Sequence, residues 1–299
     1  MIFLEKKIPE YYQIDKQIFE SIRDTPVLIR ENVRSQDSAK MNKENIKSYL
    51  PNLDVQAARS LNEKVCISTT QKKYYCKLHD FLDYCEGEKV EFLVSSGNFD
   101  HKKETYSKED LSLYVLNLNC NKRKDLSELV CIDEIFGDWF QKYYPKYTQD
   151  IVYDKGHTWF FIGPEGSISQ LHYDHNNVHT TLQQYRGKKE VFLLDPVLTN
   201  KLIQKKGYTI EFIKEDGEIR IKDCEDVDSV EIIFPIYYGL LNARDTLYIP
   251  CNWGHMVRSI EPSITISRDF IDDRNADSYF TSILLSSRQD SMSEKSENI

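Results

Sequence analysis

From Thr158 onward the chain reads as short β-branched and aromatic runs, each closed by glycine or proline, and few folds besides a sandwich or barrel accept that pattern. Trp159-Phe-Phe-Ile162 precedes Gly163-Pro-Glu-Gly166, Val191-Phe-Leu-Leu194 precedes Asp195-Pro196, Thr246-Leu-Tyr-Ile249 precedes Pro250, and Ile264-Thr-Ile266 closes the series. Short strands with turn residues between them predict a mainly β fold with flanking helices, a double-stranded β-helix of the jelly-roll kind. Gly207 to Val230 is charged and carries Glu215-Asp-Gly217, a hairpin turn signal, so it is expected as an insertion on the barrel.

Upstream, Thr25-Pro-Val-Leu-Ile-Arg30 suits an early strand. Helices are expected over Asn42–Leu50, Leu78–Cys85 and Ile132–Tyr144, the last ending near Pro145. Downstream, Tyr279, Phe280, Ile283 and Leu284 form an apolar stripe at helical spacing that fits a packing or homodimerising helix. The organisation read from these signals is one main domain over 1–270, with N-terminal elements over 1–157 and a jelly-roll core over 158–270. A C-terminal helix over 271–285 and a polar, disordered tail over 286–299 complete it.

A chain of 299 residues can bury one substantial core. Its formal charge of −9 disfavours a nucleic-acid partner. The seven cysteines are odd in number, scattered and without a Cys-x-x-Cys pair, which argues against a disulfide framework or a zinc ribbon. The start, Met-Ile-Phe-Leu-Glu-Lys-Lys, lacks the charge order of a signal peptide, and no apolar run is long enough to cross a bilayer. The expectation is a soluble intracellular protein, cytoplasmic or nuclear, with no membrane partner.

Within the strand-rich half, His172 and Asp174 stand two residues apart in Ser-Gln-Leu-His-Tyr-Asp, and His255 follows in Tyr-Ile-Pro-Cys-Asn-Trp-Gly-His. Alternate residues of a strand leave on one face, so His172 and Asp174 can point inward together. Two imidazoles and a carboxylate occupy one face of an octahedral metal and leave three positions open, an arrangement suited to iron and oxygen chemistry. The competing reading is a hydrogen-bonded polar trio in a metal-free core. His175 and His179 invite a second-metal reading, but a polar loop at the barrel mouth accounts for them more simply. Tyr248 and Trp253 are read as core aromatics rather than channel walls, and Lys201, Lys205 and Lys206 as a solvated face.

Three ordered blocks, Gly163 to Asp174, Leu182-Gln-Gln-Tyr-Arg-Gly-Lys-Lys-Glu-Val-Phe-Leu-Leu-Asp-Pro196 and Arg244-Asp-Thr-Leu-Tyr-Ile-Pro-Cys-Asn-Trp-Gly-His255, give the chain its likeness. From about Pro26 to Phe270 it resembles the JmjC and cupin-like oxygenases that use Fe(II), 2-oxoglutarate and O2, in particular the small asparaginyl-hydroxylase type. The resemblance implies that His172, Asp174 and His255 are the catalytic iron ligands. It further implies that Lys189 pairs with the distal carboxylate of 2-oxoglutarate, with Ser169 and Tyr114 completing that cradle and Arg268 a weaker alternative anchor. Thr180 and Ser267 stand where the family often has asparagine beside the co-substrate. Arg244-Asp245 replaces the usual Gly-Asp, and the stretch between Asp174 and Gly187 is about two residues longer than the usual pattern.

The activity implied is hydroxylation of a protein or peptide side chain with release of succinate and CO2, or demethylation where the attacked carbon is an N-methyl. Hydroxylation of a modified RNA nucleoside or a small molecule is the second enzyme reading. A non-catalytic cupin-like binding module is the third.

Overall fold

The structure, a computed structural model, describes residues 2–59, 72–95, 101–119, 134–137, 139, 157–206, 210–221 and 233–285. Along the chain the strands are β1 Ile2–Lys7, β2 Glu10–Tyr11, β3 Val27–Ile29, β4 Asp54–Arg59, β5 Lys73–Lys77, β6 Val90–Ser95, β7 His101–Tyr106, β8 Leu113–Asn119, β9 Thr158–Gly163 and β10 Ile168–His172. They continue as β11 His179–Arg186, β12 Lys188–Leu194, β13 Phe212–Glu215, β14 Glu218–Ile221, β15 Ile233–Asn242, β16 Thr246–Ile249, β17 Gly254–Ser259 and β18 Ser263–Phe270. Helices are α1 Lys16–Ile22, α2 Ser35–Lys40, α3 Ile46–Tyr49, α4 Leu78–Cys85, α5 Pro196–Lys206 and α6 over 276–285.

Two sheets form the body. The smaller has the order β1-β15-β12-β17-β10, and the larger runs β2-β3-β16-β11-β18-β9-β8-β4-β5-β6-β7. Apart from the β13–β14 hairpin, which pairs only with itself, and the step from β12 to β15, consecutive strands from β9 to β18 change sheet at each connection. That is the jelly roll expected from the sequence. Leu182, Leu247 and Ile249 from the larger sheet meet Val191, Leu193, Leu241 and Val257 from the smaller in one buried cluster, so the inward-facing apolar residues of both sheets close one end of the barrel.

Elements outside the barrel are pinned by their own apolar stripes. In α4, Leu78, Phe81, Leu82 and Cys85 are all buried at helical spacing and pack on β4, β6, β9 and β18 through Val55, Phe92, Phe160 and Ile266. Leu202 of α5 and Phe212 and Ile219 of the β13–β14 hairpin cover the outer face of the smaller sheet at Phe192 and Met256. That hairpin turns at Asp216 and Gly217, with φ of 52° and 82°, the left-handed pair of a tight hairpin turn. In α6, Tyr279 is buried and Ile283 packs beside it, whereas Leu284 is 64% exposed, so only part of the stripe meets this chain.

Several expectations need correction. The helix over Asn42–Leu50 shortens to Ile46–Tyr49, and α2 precedes it unforeseen, because Asn42 and Asn45 turn the backbone with their own hydrogen bonds. Most of Ile132–Tyr144 lies outside the described residues; within it Glu134–Phe136 is a single 3-10 turn. The tail over 286–299 also lies outside them. The N-terminal strands extend the barrel sheets: β1 lies parallel to β15, β3 pairs with β16, and β8 pairs with β9.

Gly187 makes the turn between β11 and β12 and so sets the register of Lys189. Its φ is 74°, and a Cβ there would fall 2.2 Å from the Pro262 carbonyl oxygen. Gly187→Ala is expected to cost roughly 1–3 kcal/mol in backbone strain alone, with the clash added, measured as a lower denaturant midpoint at unchanged slope. At Arg244, where the family has glycine, the backbone also has positive φ, 78°. Its N–H donates to the Gln184 carbonyl at 2.7 Å, and its guanidinium Nε donates to the Val33 carbonyl at 3.3 Å, which holds the strained turn.

Candidate active site

His172 ends β10, His255 is the second residue of β17, and these two residues are paired across the smaller sheet. Asp174 lies two residues beyond the strand end with φ −68° and ψ 141°, still extended, so it keeps the strand's alternation and returns to the face of His172. His172 Nε2 is 3.9 Å and His255 Nε2 3.8 Å from Asp174 Oδ1, and the imidazole centroids are 4.2 Å apart. The potential ligand atoms of all three residues lie within 4.8 Å of one another.

Neighbouring groups aim these atoms. His172 Nδ1 lies 2.7 Å from the Gln170 carbonyl and His255 Nδ1 3.3 Å from the Trp253 carbonyl. A backbone carbonyl only accepts, so each Nδ1 carries the proton and each Nε2 offers its lone pair to the centre. The Thr180 hydroxyl donates to Asp174 Oδ2 at 2.5 Å, which leaves Oδ1 facing the two rings. Burial, then the neighbouring His255, brings the His172 imidazole down to about 4. Burial opposes ionisation of Asp174, but the His255 and His172 rings and the Thr180 hydroxyl outweigh it and hold the carboxyl below its usual value. At neutral pH the trio is therefore deprotonated where a divalent metal requires it.

The chemistry of this donor set fits a metal with an open face. Among the described residues no fourth metal-ligating side chain joins the cluster, and His172 and Asp174 face a cavity. Tyr114, Phe161, Ser169, Thr180, Leu182, Lys189, Val257, Thr265 and Ser267 line the rest of it. The cavity thus unites the metal-ligand trio with Lys189, Ser169, Tyr114, Thr180 and Ser267 of the expected co-substrate site.

Lys189 is 2% exposed; its Nζ donates to the Tyr114 hydroxyl at 3.1 Å, and among the described residues no carboxylate pairs with it. Burial alone lowers its pKa to about 7. A cation so placed awaits an anion, which fits the distal carboxylate of a dicarboxylic co-substrate. Gly163 makes room for its partner: a Cβ there would come within 2.5 Å of the Tyr114 ring.

Ser169 reaches the cavity through an irregularity. It pairs with Val257 while His172 pairs with His255, so β10 spends three residues where β17 spends two. Without that bulge Ser169 and His172, three apart, would leave on opposite faces. Arg268, in contrast, alternates with Ser267 on β18 and is not among the cavity residues, so the second anchor is placed on the wrong face.

His179 also corrects the sequence reading. It is a buried strand residue, 3% exposed, whose Nδ1 accepts from the Cys251 N–H at 3.0 Å and whose Nε2 lies 3.3 Å from Asp272. Only His175 is exposed at the loop. Tyr248 and Trp253 are core residues as expected.

Asp269, a neighbour of Thr180 that does not itself line the cavity, is an acidic residue that sequence reasoning missed. It lies opposite Thr180 across β11 and β18, and its carboxylate accepts from the Thr180 hydroxyl at 3.0 Å. Burial, then the Asp174 charge, raises its carboxyl well above the usual range. The parity Thr265, Ser267, Asp269 was the available signal.

One variant pair isolates the Thr180 contact. Thr180→Val is expected to weaken Co(II) or Fe(II) binding by roughly 10- to 100-fold, the usual effect of losing a hydrogen-bond partner of a metal ligand, while Thr180→Ser retains most of the affinity. Calorimetric titration of the metal measures it.

The profile of the cupin-like domain matches residues 18–271, most of the chain. The chain belongs to the cupin-like, JmjC family. Over 109 residues it is 32% identical to Jumonji C domain-containing protein 5 of Drosophila melanogaster, covering 36% of this chain and 26% of that protein. It is 30% identical over 112 residues to JmjC domain-containing protein D of Dictyostelium discoideum, covering 36% of this chain and 23% of that protein. It is 31% identical over 115 residues to the lysine-specific demethylase JMJ30 of Arabidopsis thaliana, covering 36% of this chain and 24% of that protein. The alignments span about a quarter of the length of these curated relatives. No helix among the described residues is long and apolar enough to cross a membrane.

Proposed function

We propose that the chain is an Fe(II)- and 2-oxoglutarate-dependent oxygenase that hydroxylates a side chain of a protein or peptide. The observation that carries this reading is the placement, in one cavity, of an open-faced His172, Asp174 and His255 cluster and a buried lysine without a counter-anion. A structural metal site would surround its ion with protein atoms. When bound, iron and 2-oxoglutarate supply the oxidising chemistry, one oxygen atom of O2 entering the substrate C–H bond and the other entering succinate as CO2 leaves.

The chain's own residues hold and orient. His172 and His255 present their Nε2 lone pairs, Asp174 presents Oδ1, and Thr180 fixes the carboxylate rotamer. Lys189, with Tyr114 and Ser169 beside it, receives the distal carboxylate; Phe161, Leu182 and Val257 exclude water along the chain between the two ends. Ser267 supplies a hydroxyl to the same wall. The substrate must then approach from the open side at His172 and Asp174, where its target carbon can be held close to the metal.

The test is succinate release by the purified chain with Fe(II), ascorbate and 2-oxoglutarate, followed by a search for peptides that gain one oxygen atom only with active protein. Substrate-independent succinate release that requires Fe(II) is the expected minimum. A chain that takes up metal but neither binds nor consumes 2-oxoglutarate would instead be a binding module.

A further inference from the structure

We propose that Thr199, on the outer helix α5, is a positioning residue for the metal ligand His255, acting through the single peptide group that joins Trp253 to Gly254. The inference rests on the metal-centre reading and goes beyond it, since Thr199 belongs neither to the trio nor to the cavity wall. The Trp253 carbonyl lies 3.3 Å from His255 Nδ1, and at the other edge of the same peptide the Gly254 N–H donates to the Thr199 hydroxyl at 3.1 Å. A trans peptide is planar, with its C=O and N–H pointing opposite ways, so fixing one end fixes the other. The Thr199 hydroxyl therefore sets the tilt of the carbonyl that keeps the His255 proton on Nδ1 and aims Nε2 at the centre.

Each group on that line is held in its turn. Asp195 caps α5, accepting from the Leu198 N–H at 2.9 Å, and Pro196 follows as the first helical residue, so the helix starts at a fixed point directly after β12. Thr199, in the first turn, is fully buried. Its hydroxyl proton is shared between the Asp195 and Leu194 carbonyls, at 2.8 and 3.1 Å, which leaves a lone pair for the Gly254 N–H. Leu194 is the register partner of Gly254 and Leu193 that of His255, so the hydroxyl ties β12 to β17 where their pairing ends. No left-handed φ demands glycine at 254; the closeness of Thr199 does, because a Cβ there would fall 2.3 Å from its Oγ1. The turn between β16 and β17 has a second clamp in His179 Nδ1, which accepts from the Cys251 N–H at 3.0 Å and leaves the last peptide before His255 to Thr199.

The experiment titrates the whole chain with Co(II), reading affinity by calorimetry and ligand geometry by visible absorption, in the wild type, Thr199→Val and Thr199→Ser. Valine keeps the branched shape and removes the hydroxyl. It is expected to bind Co(II) about 10-fold more weakly, the lower end of what a hydrogen-bond partner of a metal ligand contributes, with a shifted absorption band, and serine is expected to restore both. A helix contact with no bearing on His255 would lower the melting temperature yet leave Co(II) affinity and spectrum unchanged well below the melt. That result would overturn the proposal, as would an equal loss in the serine variant. Should the valine variant not fold, Gly254→Ala applies the same test from the other partner, since its Cβ displaces Thr199; unaltered Co(II) binding there counts against the proposal equally. Absent Co(II) uptake by the wild type would instead sink the metal-centre reading, and the oxygenase proposal with it.

Discussion

His172→Ala, Asp174→Ala and His255→Ala are each expected to lower metal affinity by more than about 100-fold and to remove succinate release. Partners one shell out from a metal are worth roughly 10- to 100-fold, and a direct ligand exceeds them. Among the described residues three protein atoms are available here, and no fourth stands by to compensate. The fold should survive His172→Ala and Asp174→Ala, because both residues are partly open to the cavity, whereas His255 is buried and its truncation is expected to lower the melting temperature as well. Metal titration alongside a thermal melt separates loss of the site from loss of the fold. Acidity sets a further limit: with His172 near 4 and Asp174 below its usual value, protons should compete with the metal only toward pH 4.

Lys189→Met keeps the length of the side chain and deletes its charge. We expect 2-oxoglutarate to bind roughly 10- to 150-fold more weakly, the equivalent of about 1.5–3 kcal/mol for a hydrogen bond to a charged group. Metal affinity should change little. The pH dependence has a definite sign. The lysine of the free protein titrates near 7, so the wild type should lose 2-oxoglutarate affinity as pH rises above 7, and the methionine variant should not.

Stability should move oppositely. A lysine whose folded pKa lies below its unfolded value destabilises the fold while the unfolded chain holds the proton, so the apo protein gains stability between about pH 7 and the ordinary lysine pKa. Lys189→Met removes that burden and should raise the apo melting temperature. A variant that leaves 2-oxoglutarate affinity unchanged would remove Lys189 from the co-substrate site.

What the sequence made legible was whatever depends on short-range pattern. Alternating and fully apolar runs located β9, β12, β16 and β18, the 3.6-residue period located α4, and Asp216-Gly217 located the hairpin. The trio itself was legible because a strand's period of two joins His172 to Asp174, and the block around His255 resembles the family's distal motif. Less legible was anything decided by tertiary pairing. The bulge that turns Ser169 inward exists only in the register between β10 and β17. The burial of His179 follows from Cys251 and Asp272, remote in the chain, so its place beside His175 suggested a loop instead. Arg268 falls on the face away from the cavity once the parity of β18 is fixed by Ser267, since adjacent strand residues leave on opposite faces. The sheet that the N-terminal strands join was not legible either, because β1 finds β15 across most of the chain.

The most direct measurement is a crystal structure of the chain grown without oxygen in the presence of Fe(II) and 2-oxoglutarate. One ion held by His172 Nε2, Asp174 Oδ1 and His255 Nε2, with 2-oxoglutarate on its open face and the distal carboxylate at Lys189, is the expected result. An ion bound elsewhere, or one whose remaining positions are filled by protein atoms, would contradict it.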